Sequence, residues 1–138
     1  MSATSVLTAL QSLAPSISAP IYWPSDKIVP PEPPSPYIWA NIEGLGSDLL
    51  GSGTRPLSSR PGFIRFNILI PYGYQIQEAY AIADTLDGIY SALTNAGGCQ
   101  GLQTKAATLP EDGAQSTDGL WYGCSISVPF MYWAAAGA

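Results

Sequence analysis

Histidine is absent from this 138-residue chain, and with it the commonest general base and metal ligand. No Ser–His or Cys–His pair can be built, and neither GxSxG nor HExxH occurs. Charge is also scarce. Charged residues make up 11% of the chain, against roughly 25% in an average globular domain. A small monomer normally keeps a charged surface, so this shortage, beside eight tyrosines and four tryptophans, points to surface buried against other subunits. An oligomer is the expectation. Cations are rarer still, with five Lys and Arg against ten Asp and Glu, for a net charge of −5. That balance argues against gripping nucleic acid by neutralising phosphates, though not against nucleic acid merely passing.

Cys99 and Cys124 are too few and too far apart for a zinc motif. The opening MSATSVLTALQSLAPS has no positive charge ahead of its apolar residues, unlike a secretion signal. Reduced, partly buried thiols are therefore expected. The longest apolar run, residues 128–136, is far short of a membrane span. These features predict a soluble protein of the cell interior, with no membrane segment. At this length one domain over residues 1–138 is expected.

The centre of the sequence is residues 60–95, RPGFIRFNILIPYGYQIQEAYAIADTLDGIYSALTN. Ile64, Phe66, Ile68 and Ile70 alternate with Arg65 and Asn67, the period of a half-buried strand. Beyond Pro-Tyr-Gly, with Gly73 as the hinge, the period becomes helical. Ile76, Ala79, Tyr80, Ala83, Leu86, Tyr90 and Leu93 then share one stripe. Before this unit, residues 2–13 predict a short helix ended by Pro15, and residues 21–23 a brief edge strand. The proline-dense residues 29–36 predict an extended connector. Residues 37–43 predict a strand with Ile38, Ala40 and Ile42 on one face and Tyr37, Trp39, Asn41 and Glu43 on the other.

Residues 44–61 are loaded with Gly, Ser and Pro and predict a long loop projecting from the sheet. After the long helix, residues 102–109 predict a strand, 110–119 a polar turn and 120–133 a closing strand. Pro129 predicts that the closing strand is an edge, or bulged there. Residues 134–138 predict a frayed tail. The expected fold is α+β: a mostly antiparallel sheet of four to five strands, with one long and one short helix packed on one face.

Reactive constellations are few. The glycines of residues 44–53 lack the GxxxxGK[ST] of a phosphate-cradling loop. Asp84 and Asp87, one helical turn apart, are read as solvated surface, and Glu111, Asp112 and Asp118 lack calcium-loop spacing. No catalytic residue, metal site or cofactor is predicted, and no enzyme. The tryptophans allow either a stacking surface for sugars or bases, or subunit contact. Trp39 and Trp121 lie opposite their strands' aliphatic faces, which favours subunit contact for those two.

Residues 63–90, which carry the pattern FNILIPYGYQIQEAYAIADTLDGIY from Phe66 onward, resemble the tail terminator proteins of long-tailed bacteriophages. The shared pattern is a strand ending in a Pro-x-Gly turn, followed by a helix with an AxxIADxL-type core. The ending DGLWYGCSISVP from Asp118 is similar to that family's last strand, and the order of the opening helix and the PYIWANIE strand also agrees. The proline tract departs from the pattern.

The resemblance implies an α/β subunit that forms a ring, commonly a hexamer, on the last ring of a tail tube. Its partners would be itself, the tail tube protein and the head–tail connector. DNA would pass through the lumen without specific binding. It implies a place in the virion, at the head-proximal end of the tail, after assembly in the host cytoplasm. Under that reading, Trp39, Leu49, Leu50, Arg55, Arg60 and Trp121 are the candidate subunit or tube contacts. Another neck protein of the head–tail connector kind fits the same size and charge. A carbohydrate-binding module is the rival from a different class.

Overall fold

The computed structural model describes residues 3–13, 19–24, 26–29, 35–44, 48–50, 57–99, 101–115 and 120–135. Among them, two α-helices and seven strands make an α+β fold with one mixed sheet. In chain order the elements are α1 (Ala3–Ser12), β1 (Ile21–Tyr22), β2 (Tyr37–Gly44), β3 (Asp48–Leu50), β4 (Leu57–Pro71), α2 (Ile76–Tyr90), β5 (Leu102–Thr104), β6 (Glu111–Gln115) and β7 (Trp121–Ala135). A short 3-10 turn, Ala96–Gly98, follows α2. The sheet runs β1-β2-β4-β7-β5, with β3 beside β4 and β6 beside β7. All its pairings are antiparallel except β1 with β2, which is parallel.

The sheet is built on β4 and β7, each 15 residues long, paired from Leu57↔Ala135 to Pro71↔Trp121. Alternation then sets the faces. Ile38, Ile68 and Cys124 form one cross-strand row, and Ala40, Phe66 and Ile126 the next. Both rows are buried beneath the helices, where Val6, Leu10, Ala79, Ala83, Leu86 and Tyr90 close the core. Of the stripe read from the sequence, Ala79, Ala83, Leu86 and Tyr90 are the buried face of α2, Ile76 and Tyr80 are half-buried, and Leu93 lies past the helix end. Gly73 turns the chain at φ +104°, a conformation that favours glycine.

Side-chain hydrogen bonds fasten the helices at their ends. The Tyr90 hydroxyl donates to the Leu10 carbonyl of α1 over 2.8 Å. Buried Thr104 donates its hydroxyl to the Tyr90 carbonyl and accepts from the Leu93 amide, completing the C-terminal turn of α2.

Several expectations change. Pro129 lies inside the sheet, with β4 on one side and the 102–115 segment on the other, and not at an edge. Its carbonyl accepts from the Lys105 amide. In an antiparallel strand a residue's two polar groups face the same neighbour, so the missing N–H falls where the chain passes irregularly from β5 to β6. A proline is therefore tolerated mid-sheet. The strand expected over 102–109 stops at Thr104, although the Thr108 amide still reaches the Ser127 carbonyl. The polar turn expected over 110–119 holds β6, bulged at Gly113, because β7 offers it an unpaired edge.

The projecting loop expected over 44–61 is largely strand. Gly44 ends β2, Asp48–Leu50 form β3 and residues 57–61 begin β4. Residues 45–47 and 51–56 lie outside the described ones, as do 30–34 of the proline tract. Ala134 and Ala135, expected to fray, pair with Ser58 and Leu57.

Candidate interaction surfaces

With the helices on one face, the other face of the sheet is free of them. Its rows are Trp39–Asn67–Ser125, Asn41–Arg65–Ser127 and Glu43–Phe63–Pro129. Trp39 is 39% exposed, and Asn67 donates to its carbonyl over 3.2 Å. The Arg65 guanidinium lies 5.5 Å from the Phe63 ring centroid and its Nε donates to the Ser127 hydroxyl over 3.4 Å. The face is thus mixed in polarity and carries the Arg65 cation in contact with an aromatic ring.

Trp121 is placed differently from Trp39. It is 5% exposed and meets Tyr37 edge-on at 5.0 Å, in a small second cluster with Leu69. It braces the chain internally and offers little area to a partner. Trp23 also fills core, edge-on to Phe66 at 6.3 Å. The backbones of Leu49, Leu50 and Arg60 lie in β3 and β4, while their side chains, like Arg55 as a whole, are outside the described residues.

The three strands that contain these positions form an arm. Beyond the Gly44↔Gly62 pair, where β2 ends, β4 continues between β3 on one side and the end of β7 on the other. The paired strands β4 and β7 span about 48 Å at roughly 3.4 Å per residue. The arm is therefore at one end and the Pro71 turn at the other.

A second surface occupies the turn end, and the sequence alone did not single it out. Tyr72 stacks on Tyr122 at 4.7 Å, and the Tyr122 hydroxyl donates to the Tyr74 carbonyl. Tyr72 is 56% exposed and Leu120 65%; the Tyr72 amide donates to the Leu120 carbonyl. Beside them the Tyr80 hydroxyl donates to Asp112 Oδ1 over 2.5 Å. That bond, with some burial and the nearby carboxylate charge, raises the Tyr80 phenol above its ordinary value. Four of the eight tyrosines gather here. The signal available in the sequence was the spacing Tyr72-Gly-Tyr74 opposite Leu120-Trp-Tyr122, which only the register of β4 with β7 brings together.

Neither cysteine is paired. Burial, and secondarily the Asp112 carboxylate, pushes the Cys124 thiol from 9.0 up to about 11. A thiol held neutral beneath a helix is inert. A thiol reagent at pH 8 is expected to modify only Cys99 in the native protein and both cysteines once it is unfolded. Rapid native modification of Cys124, read by peptide mass, would contradict its burial. The sign follows for stability as well. Unfolding exposes a more acidic thiol, so stability present below pH 9 falls as pH rises towards 11.

Among the described residues, no group of three or more His, Cys, Asp or Glu could hold a metal ion. Asp84 and Asp87 are exposed on α2, and Asp87 accepts from Ser91. No described helix is long and apolar enough to cross a membrane. The molecule is thus an α+β domain with helices on one face of its sheet, an arm at one end and a tyrosine-rich corner at the other. Comparison with protein-family models finds no match, and comparison with curated protein sequences finds none either.

Proposed function

We propose that this chain is a structural subunit of a long-tailed bacteriophage, forming a ring, commonly a hexamer, that caps the tail tube. The ring ends tube growth and presents a surface to the head–tail connector. The observation that carries the proposal is the arm: past the Gly44↔Gly62 pair, where β2 ends, β4 continues between β3 and the end of β7. A strand ribbon that runs on beyond the end of β2 suits a contact with the next subunit or with the tube.

Other features support the same reading. The strand, Pro-Tyr-Gly turn and helix that resemble tail terminators are one folding unit, sharing Phe66, Leu86 and Tyr90 in the core. Few charges suit a subunit with much of its surface in contact with others. A net charge of −5 suits a lumen in which DNA slides without sticking. Capping would work by differential binding: one face copies the tube's own subunit contacts, and the other refuses a further tube ring.

Deleting residues 51–56 is expected to leave the helix-covered body folded and to weaken ring formation or tube docking. Electron microscopy of the resulting particles reads the outcome. Unchanged assembly and unchanged tail lengths would remove the arm from the mechanism. Binding of glycans with quenching of Trp39 fluorescence would instead favour the carbohydrate-binding reading.

A further inference from the structure

β6 joins the sheet with little to hold it. Glu, Asp and Gly all disfavour strands, and Glu111, Asp112 and Gly113 are exposed. The pairing with β7 is broken between Asp112 and Ala114, where Gly113 takes φ +112° as the extra residue of a bulge. Residues 105–110, which lead into it, are not strand, although the Lys105 and Thr108 amides reach β7. A side-chain bond fastens β6 to the helix layer: the Tyr80 hydroxyl of α2 donates to Asp112 Oδ1.

Behind β6 the sheet is firm. β7 pairs with β4 over all 15 of its residues, and Cys124 and Ile126 are buried beneath the helices. The backbone groups of β7 divide between its two neighbours. The Ser127 and Pro129 carbonyls accept from the Thr108 and Lys105 amides, on the side away from β4. A residue's N–H and C=O point to the same side of an antiparallel strand, and successive residues alternate. Gly123 and Ser125 thus face β6, opposite Ala114 and Glu111, while Cys124 and Ile126 face β4.

We propose that β6 is a strap, latched to α2 by the Tyr80–Asp112 bond, that opens as a unit while β4 and β7 stay paired. Opening breaks a short, bulged ladder and an exposed side-chain bond, and Glu111, Asp112 and Gly113 leave no buried site. Closed, the strap covers the β7 edge at Gly123 and Ser125. Open, it leaves that row of polar groups free for the addition of an extended segment. None of this depends on the chain forming a ring.

Hydrogen exchange of the full-length chain, followed amide by amide by nuclear magnetic resonance, tests the strap. In the unmodified protein Gly123 and Ser125 are expected to exchange about a hundredfold or more faster than Cys124 and Ile126, because local opening frees only the first pair. Tyr80→Phe keeps the ring and removes the latch. It should speed Gly123 and Ser125 about threefold or more and leave Cys124 and Ile126 unchanged. Asp112 lies directly opposite Cys124, in a pair whose polar groups point apart and whose Cα atoms approach to about 4.5 Å, within disulfide reach. Asp112→Cys, oxidised during refolding, is therefore expected to lock the strap and slow Gly123 and Ser125 to the rate of Cys124 and Ile126. Reduction of the same protein should free them again.

Equal protection of all four amides in the unmodified chain would overturn the strap and make β6 an integral strand. That comparison decides the matter if the disulfide does not form. Tyr80→Phe speeding all four amides alike would overturn Tyr80 as the latch. A reduced Asp112→Cys protein as well protected as the oxidised one would overturn opening at β6.

Discussion

Gly123→Ala is expected to leave little folded protein. Gly123 sits in β7 opposite Leu69, at a close approach of the two longest strands. A Cβ there would overlap the Ile68 carbonyl oxygen and stand 3.0 Å from its carbon. Both atoms are backbone, so no rotamer change relieves the clash. The strands must separate, and β4 with β7 holds the sheet together. Overpacking a core with side chains costs about 1–3 kcal/mol. Displacing a central strand pair should exceed that range, which consumes much of the roughly 5–15 kcal/mol available to a domain. Gly44→Ala is the control, because a Cβ there meets nothing within 4 Å. Soluble yield and thermal unfolding report both variants. A Gly123→Ala protein melting within a few degrees of the unmodified chain would contradict the close approach.

Phe66→Ala is expected to cost about 3–5 kcal/mol, the range for removing a fully buried aromatic ring. Phe66 lies in the middle row of the core face, between Ala40 and Ile126. Its ring is 4.9 Å from Tyr90 and 6.3 Å from Trp23. Tyr90 in turn holds α1 through the Leu10 carbonyl. Loss of the Phe66 ring therefore loosens both helices and the β1 segment together. Urea unfolding should show a lower midpoint, whereas Phe63→Ala, on the half-buried opposite face, should change it far less. Equal midpoint shifts for the two would mean that the sheet faces are assigned the wrong way round.

Periodicity made most of the fold legible. The strand faces of β2, β4 and β7 and the buried stripe of α2 follow from spacing alone, because each element buries one side of a regular backbone. What spacing could not show was pairing. Pro129 reads as an edge signal until the neighbour facing its nitrogen is known to run irregularly. Residues 111–115 read as a turn, since Glu, Asp and Gly disfavour strands, yet an open edge of β7 draws them in. The Gly- and Ser-rich arm misled for the same reason: β4 and β7 extend each other past the point where local composition favours a loop.

The candidate surfaces divide in the same way. Trp39 was legible as an outward residue by alternation, and it is exposed. Trp121 shares that alternation but is covered by Tyr37, a cross-sheet contact no local pattern reveals. The tyrosine corner depends on two segments about 50 residues apart meeting through the β4–β7 register, so it appears only once the register is known.

Tail length in particles assembled without this protein tests the central proposal most directly. A ring that ends tube growth predicts tubes that overrun their normal length and fail to join heads, with normal length restored when the chain is supplied. Tails of normal length that merely lie unattached would contradict it, and would assign the chain to the neck.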